Sequence, residues 1–238
     1  MKKVSLSFRK SVIAVSALFA AAVLFTACMK NKNENVDVPA AGLMALNLAP
    51  DQQSVIVTLS GNLLTQSPLA YGSFNGGYQN IYVGDRAVSS YDYPASSPLA
   101  TVNYKFEDDK YYSVFVVGTM GKYRNVISVD SFDNLSSING KAYIRYINGI
   151  TDSVNAANVT VAGNSQSVAY ASVSEFKEVN PGDVNIAVTG SGIDASRTIT
   201  VEAKRVYTVL LTGVPGATDA TKPQIRFISN GTLTDEGK

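Results

Sequence analysis

The 238-residue chain contains no His and a single Cys, Cys28, and these two facts remove most enzymatic chemistry at once. A Ser nucleophile of the Ser-His-Asp kind needs an imidazole base, and a Cys nucleophile needs a thiolate in a site, so neither mechanism is available beyond residue 28. Ser174-Glu175-Phe176-Lys177 has the Ser-x-x-Lys spacing of Ser-Lys hydrolases, but it lies in strand and turn sequence rather than at the start of a helix. Zinc, copper and haem sites draw on imidazole or thiolate ligands. Oxygen-only metal sites remain chemically open, yet the local acidic groupings, Glu107-Asp108-Asp109 and Asp130 with Asp133, lack calcium-loop spacing. The stretch Glu107 to Lys110 reads as a solvated hairpin turn. No metal and no cofactor is expected. Glycoside hydrolysis needs two carboxylates about 5 to 9.5 Å apart in a cleft. The chain has 19 acidic residues and nothing that nominates a pair. Gly84-Asp85 and Gly182-Asp183 recur, but Gly-Asp is a common turn element where a strand begins.

Aromatic residues give the one asymmetric signal. Nine of the 13 Tyr fall in the first half of the mature chain, while Trp is absent. Tyr91 and Tyr93, in a Pro- and Ser-rich segment read as an insertion from about Ser89 to Leu99, form the candidate binding surface, because loops at the end of a sheet scaffold are where recognition is usually built. Tyr112 and Tyr207 instead look like core or strand-corner residues.

The elements that would position these groups are short strands. Beyond Gly42, alternating or β-branched apolar stretches are separated by Gly, Pro, Asn, Asp and Ser. Val184, Ile186 and Val188 alternate with polar or small residues, and Ile225, Phe227 and Ser229 alternate with Arg226 and Ile228. This predicts strands with one buried and one solvated face. No sustained helical period follows Cys28, so any helix should be short and in a loop. The chain also repeats itself at an offset near 100 residues. Val57 to Asn62 matches Val159 to Asn164, Leu69-Ala70-Tyr71 matches Val168-Ala169-Tyr170, Val83-Gly84-Asp85 matches Pro181-Gly182-Asp183, and Tyr112 to Gly118 matches Tyr207 to Gly213. The prediction is all-β, with two tandem immunoglobulin-like antiparallel β-sandwiches over residues 42–133 and 141–238.

The N-terminus is read as a targeting segment over residues 1–27. Lys2, Lys3, Arg9 and Lys10 precede the uncharged apolar run Ser11 to Phe25, which is too short for a permanent membrane span of roughly 20 residues. Leu24-Phe25-Thr26-Ala27-Cys28 resembles a bacterial lipobox of the relaxed kind found in Bacteroidetes, which implies acylation of Cys28. Residues 28–41 then read as a flexible tether. Loss of the four N-terminal cations leaves 16 basic against 19 acidic residues, so nucleic acid is not an expected partner. The expected location is the bacterial cell envelope, anchored by acyl chains in the outer membrane, with the periplasmic or surface face left open.

The strand Ile144-Arg145-Tyr146-Ile147-Asn148-Gly149, the Val159 to Gly163 strand, the Pro181-Gly182-Asp183-Val184 turn and the Tyr207-Thr208-Val209 strand ending at Gly213 resemble the domain-of-unknown-function family 4397. The match reads as good over Lys141 to Leu233 and looser over Gly42 to Asp130. The resemblance implies an immunoglobulin-like sandwich and an extracytoplasmic setting, with no activity to carry over. A non-enzymatic binding or interaction module for a protein or glycan ligand is therefore expected. Alternatives are a structural or accessory subunit of a surface fibre or adhesin, and a carboxylate-based glycan hydrolase.

Overall fold

The computed structural model describes residues 38–151 and 157–234. The first half contains β1 (Ala40–Asn47), β2 (Ser54–Leu59), β3 (Asn62–Leu63), β4 (Leu69–Ala70), β5 (Gln79–Tyr82), β6 (Gly84–Asp92), β7 (Pro98–Phe106), β8 (Tyr111–Val117) and β9 (Arg124–Val129). The second contains β10 (Ala142–Ile150), β11 (Ala157–Val161), β12 (Asn164–Val168), β13 (Lys177–Val179), β14 (Gly182–Gly190), β15 (Ile193–Val201), β16 (Arg205–Gly213) and β17 (Gln224–Thr232). The fold is all-β, and the single helical element among the described residues is a 3₁₀ turn, Phe132–Asn134, between the halves.

Each half is a two-sheet sandwich with the same strand order. Sheet β5-β1-β8-β9 faces β3-β2-β6-β7, and sheet β13-β10-β16-β17 faces β12-β11-β14-β15. The sequence repeat maps onto equivalent structure. The turns after β2 and β11 place Ser60 and Ala162 at φ 49° and Gly61 and Gly163 at φ 83°, the left-handed pair that a two-residue hairpin turn requires. Gly118 and Gly213 close the matched strands β8 and β16 at φ 118° and 125°. A Cβ there would lie 2.3 Å from the Lys122 carbonyl oxygen and 2.5 Å from that of Lys222. Tyr112 and Tyr207 are buried, and their hydroxyls accept hydrogen bonds from the backbone N–H of Glu107 at 3.0 Å and Glu202 at 3.1 Å, the same corner built twice.

Two expectations need correction. Pairing is not antiparallel throughout, because β1 pairs in parallel with β8 and β10 with β16. Nor do the inner strands of the sheets that hold these pairs keep a solvated face. β1, β8, β10 and β16 are buried along almost their whole length, as suits inner parallel strands covered on both sides. The second covering is the other half of the molecule. Met44, Leu46, Leu48, Phe115 and Val117 pack with Ile147, Leu210 and Ile228 in a cluster separate from the two sandwich cores. Ile228, placed by alternation on the outer side of β17, is buried there for that reason. Fully burying such a side chain contributes about 1.5 to 3 kcal/mol, so the halves share a core rather than sit as beads on a linker.

Candidate functional site

The two edges of each sandwich are closed differently. On one side β7 lies against β9, and β15 against β17. On the other side of the second half, between β12 and β13, a cleft of about 630 Å³ opens toward the core, within the usual size range of ligand sites. Its floor is apolar: Ile144, Tyr146 and Val159 from the core, with Val161 and Val179 partly buried beside them. Burial holds the Tyr146 phenol above its ordinary value of 10.0, so it stays neutral.

Strand register explains the polar rim. Gln166 stands opposite Val159, Asn164 opposite Val161 and Val168 opposite Ala157, which puts all three side chains on the core-facing side of β12. Val168 is buried as that position demands, while Gln166 and Asn164 are polar and exposed to the cleft. From the facing sheet, Lys177 stands opposite Ile144, again on the core side. The Lys177 ammonium reaches across the mouth to Gln166 Oε1 at 3.5 Å, and Lys141 donates to Asn180 Oδ1 at 2.6 Å. Glu178 also borders the cleft, but its Oε1 already accepts from Asn139 Nδ2 at 2.7 Å and the Tyr143 hydroxyl at 3.1 Å. The Ser174 hydroxyl accepts from the Tyr146 N–H at 3.0 Å and donates to the Glu175 carbonyl at 3.1 Å. The Ser-x-x-Lys spacing thus brings both residues to the cleft with the hydroxyl tied to backbone and the ammonium turned to an amide.

In the first half the same gap is filled by the chain. Leu64 aligns with Gln166; its N–H donates to the Val57 carbonyl at 2.9 Å, and its side chain is 4% exposed in the core. Thr65 follows at 2% exposure, its hydroxyl accepting from the Val57 N–H at 3.2 Å. The loop from Leu64 to Leu69 carries three more residues than its counterpart from Gln166 to Val168, and this extra length lets it fold inward.

A second polar cluster holds the halves together. Arg145, 1% exposed, meets Asp130 Oδ1 in an ion pair at 2.5 Å. It also donates to Thr208 Oγ1 and Ser113 Oγ, both at 3.0 Å. Asp130 Oδ2 accepts from the Tyr78 hydroxyl at 2.5 Å and from Ser113 at 2.6 Å. Asn230 donates to the Tyr78 hydroxyl at 2.9 Å and accepts from Thr208 at 2.6 Å, closing a ring that crosses the junction. Phe176, with its ring centroid 4.6 Å from the Arg145 guanidinium carbon, and Phe132 of the 3₁₀ turn cover the cluster. Burial first, then the Asp130 charge and hydrogen bond, push the Tyr78 phenol far above its ordinary value of 10.0. The guanidinium satisfies buried acceptors from both halves, a structural use of an ion pair rather than a reactive one.

The remaining predicted residues lie elsewhere. Tyr91 belongs to β6, opposite Ile56 of β2 and Pro98 of β7. The added length of the Ser89 to Leu99 segment is confined to the hairpin tip, where Tyr93 is 50% exposed. Asp108 Oδ1 accepts from the Ala40 N–H at 2.8 Å, and Asp183 accepts from the Thr200 hydroxyl at 2.7 Å, both structural contacts. Among the described residues no group of three acidic, His or Cys side chains could hold a metal ion. Cys28, the predicted lipidation site, lies outside the described residues. Sequence reasoning missed Gln166 and weighed Lys177 only as part of a Ser-x-x-Lys spacing; the available signal was a polar residue at each core-facing position beside the Val159 and Ile144 strands.

The paired sandwiches thus leave one edge open and polar-rimmed. The sequence model of the domain of unknown function DUF4397 matches residues 41–162, and the chain belongs to this family. The matched stretch takes in the whole first half and runs through β10 and β11, whereas the residues alone suggested the closer likeness in the second half. No curated protein sequence matches the chain. Among solved structures, the CBM26-family module CBMbc of Eubacterium rectale Amy13K, solved with maltoheptaose, has 12% identity and a TM-score of 0.23, covering 82% of this chain and 98% of its own. A candidate cell adhesion protein from Bacteroides eggerthii DSM 20697 has 10% identity and a TM-score of 0.20, covering 80% of this chain and 95% of its own. At these scores neither likeness bears on what the chain binds.

Proposed function

We propose that the chain is a non-enzymatic binding module of the bacterial cell envelope, acylated at Cys28, that takes its ligand in the cleft between β12 and β13. The observation that carries the binding reading is the pair of polar residues, Gln166 and Lys177, aimed from facing sheets into a gap floored by Ile144, Tyr146 and Val159. A finished sandwich places an apolar side chain at such a position, as the first half does with Leu64 just beyond β3. Polar groups over an apolar floor instead suit a partner that arrives from outside. The anchoring reading rests on the lipobox-like residues before Cys28 and the polar stretch after it.

Two measurements test the two parts. Mass spectrometry of the purified native protein should show an acylated Cys28 at the N-terminus; an intact residue 1–27 segment would remove the anchor. Amide chemical shifts of the isotopically labelled protein, titrated with a chemically diverse mixture of small organic fragments, should move at Gln166, Lys177 and Val161. Shifts concentrated instead at the Tyr93 hairpin tip would relocate the site there.

A further inference from the structure

We infer, building on the cleft as the binding site, that its ligand is an extended peptide segment presenting an aliphatic side chain next to a carboxylate. The first half carries the internal precedent. There the chain just beyond β3, Leu64-Thr65, bends into the equivalent gap, and an aliphatic side chain occupies the space between the sheets. Its backbone is held by the Val57 carbonyl. The second half keeps the receiving surface, because Val159 aligns with Val57 and the apolar floor is intact. What it lacks is the segment that fills the gap. β12 runs straight along β11, and β13 covers only the first three residues of β10. Both β12 and β13 are outer strands of their sheets, so each offers backbone groups that an extended peptide can pair with.

The rim selects the charge. Lys141 and Lys177 flank the opening, and among the described residues their ammonium groups donate to the side-chain oxygens of Asn180 and Gln166. Among the described residues neither ammonium sits in an ion pair. A carboxylate entering the mouth replaces neutral amide oxygens with a charged acceptor, which roughly doubles the strength of such hydrogen bonds. Sugars are less well matched: Tyr146, the one aromatic residue lining the cleft, is buried in the core and offers no exposed ring face.

The test uses the full chain in detergent and fluorescence polarisation of a fluorescein-labelled Gly-Ser-Ser-Val-Leu peptide with a free carboxyl end. Its C-terminal amide, and the amide of a Gly-Ser-Val-Leu-Asp peptide, separate a chain-end carboxylate from a side-chain one. The free acid should bind, and its amide should bind at least about tenfold more weakly, as should the acid to the Lys177→Ala variant. Gln166→Leu, which installs the first-half residue, should lose peptide binding while its melting temperature is unchanged or higher. If the Asp-containing amide binds as well as the free acid, the carboxylate is supplied by a side chain and the inference holds. Equal binding of acid and amide overturns it, as does wild-type affinity in Gln166→Leu, or no binding of any of the three peptides. Fragment-induced shifts at the cleft without peptide binding would remove the peptide while leaving the binding module in place.

Discussion

Leu64 in the first half, just beyond β3, and Gln166 in the second, within β12, stand at equivalent places in the same fold, each on the core side of the edge of its sandwich. One is buried in a core and the other rims a cleft of about 630 Å³. The difference arises from three additional residues after Leu64, which fold Thr65 inward, and from a polar side chain where the pattern of the strand calls for an apolar one. The sheet orders, the turn dihedrals after β2 and β11, and the Tyr112 and Tyr207 corners agree between the halves. The proposed site thus lies at a departure from the repeated frame rather than in the frame itself. The junction shows a second departure, with Met44 in β1 and Arg145 in β10 at equivalent positions facing the shared interface.

That comparison breaks most severely at the junction. Arg145→Met makes the two positions alike but leaves Asp130 buried without its partner, and should cost about 3 to 5 kcal/mol in chemical denaturation. Adding Asp130→Asn should recover a large part of the loss; no recovery would mean that the ring, rather than the buried charge, sets the cost. Next comes the closed edge: Leu64→Ala opens the first half and should destabilise by about 2 to 5 kcal/mol. A loss under about 1 kcal/mol would show that this edge is not packed as its burial implies.

Titration sharpens the picture further. The Tyr78 phenol has a raised value in the folded protein, so the folded state keeps its proton at pH values where the unfolded state releases it. Its stabilisation is fully present below pH 10.0 and is lost as pH rises above it. Denaturation measured between pH 9 and 11 should show this slope, and Tyr78→Phe should flatten it by up to about 1.4 kcal/mol per pH unit. The smallest effect belongs to the open edge. Gln166→Leu should change stability by less than about 1 kcal/mol, in the stabilising direction, because it covers apolar floor; a large destabilisation would show that Gln166 serves the fold.

Much of the frame could be read from the residues. Alternation in Val184, Ile186 and Val188, the Gly-marked turns and the four matched anchors gave the strands and the duplication. Arg145 and Asn148 lie in the strand that opened the family resemblance, and their roles differ: Asn148 Nδ2 donates to the Val168 carbonyl at 3.1 Å, as Asn47 does to that of Leu69 at 3.0 Å, while Arg145 locks the halves together. The shared core was not read. The nearly continuous apolar run Leu43 to Leu48 carried the signal for strands covered on both faces, but which surface covers them depends on contacts between distant segments. The cleft was hidden by the length difference that creates it, since the loop beyond Leu64 interrupts the alignment just where Leu64 should be set beside Gln166. Tyr93 drew attention by composition; the hairpin tip places it away from the open edge residues named above.

The parallel pairing of β1 with β8 also has a consequence for how the chain matures. A chain that emerges N-terminus first presents Leu43 to Leu48 early, yet the partner strand Tyr111–Val117 arrives only after most of the first half has followed. The second half repeats the wait, with Arg205–Gly213 near its end completing the sheet begun by β10. Such distant pairings close slowly and leave greasy strands unprotected meanwhile, so the opening strand of each half is the stretch that a holding chaperone would have to cover.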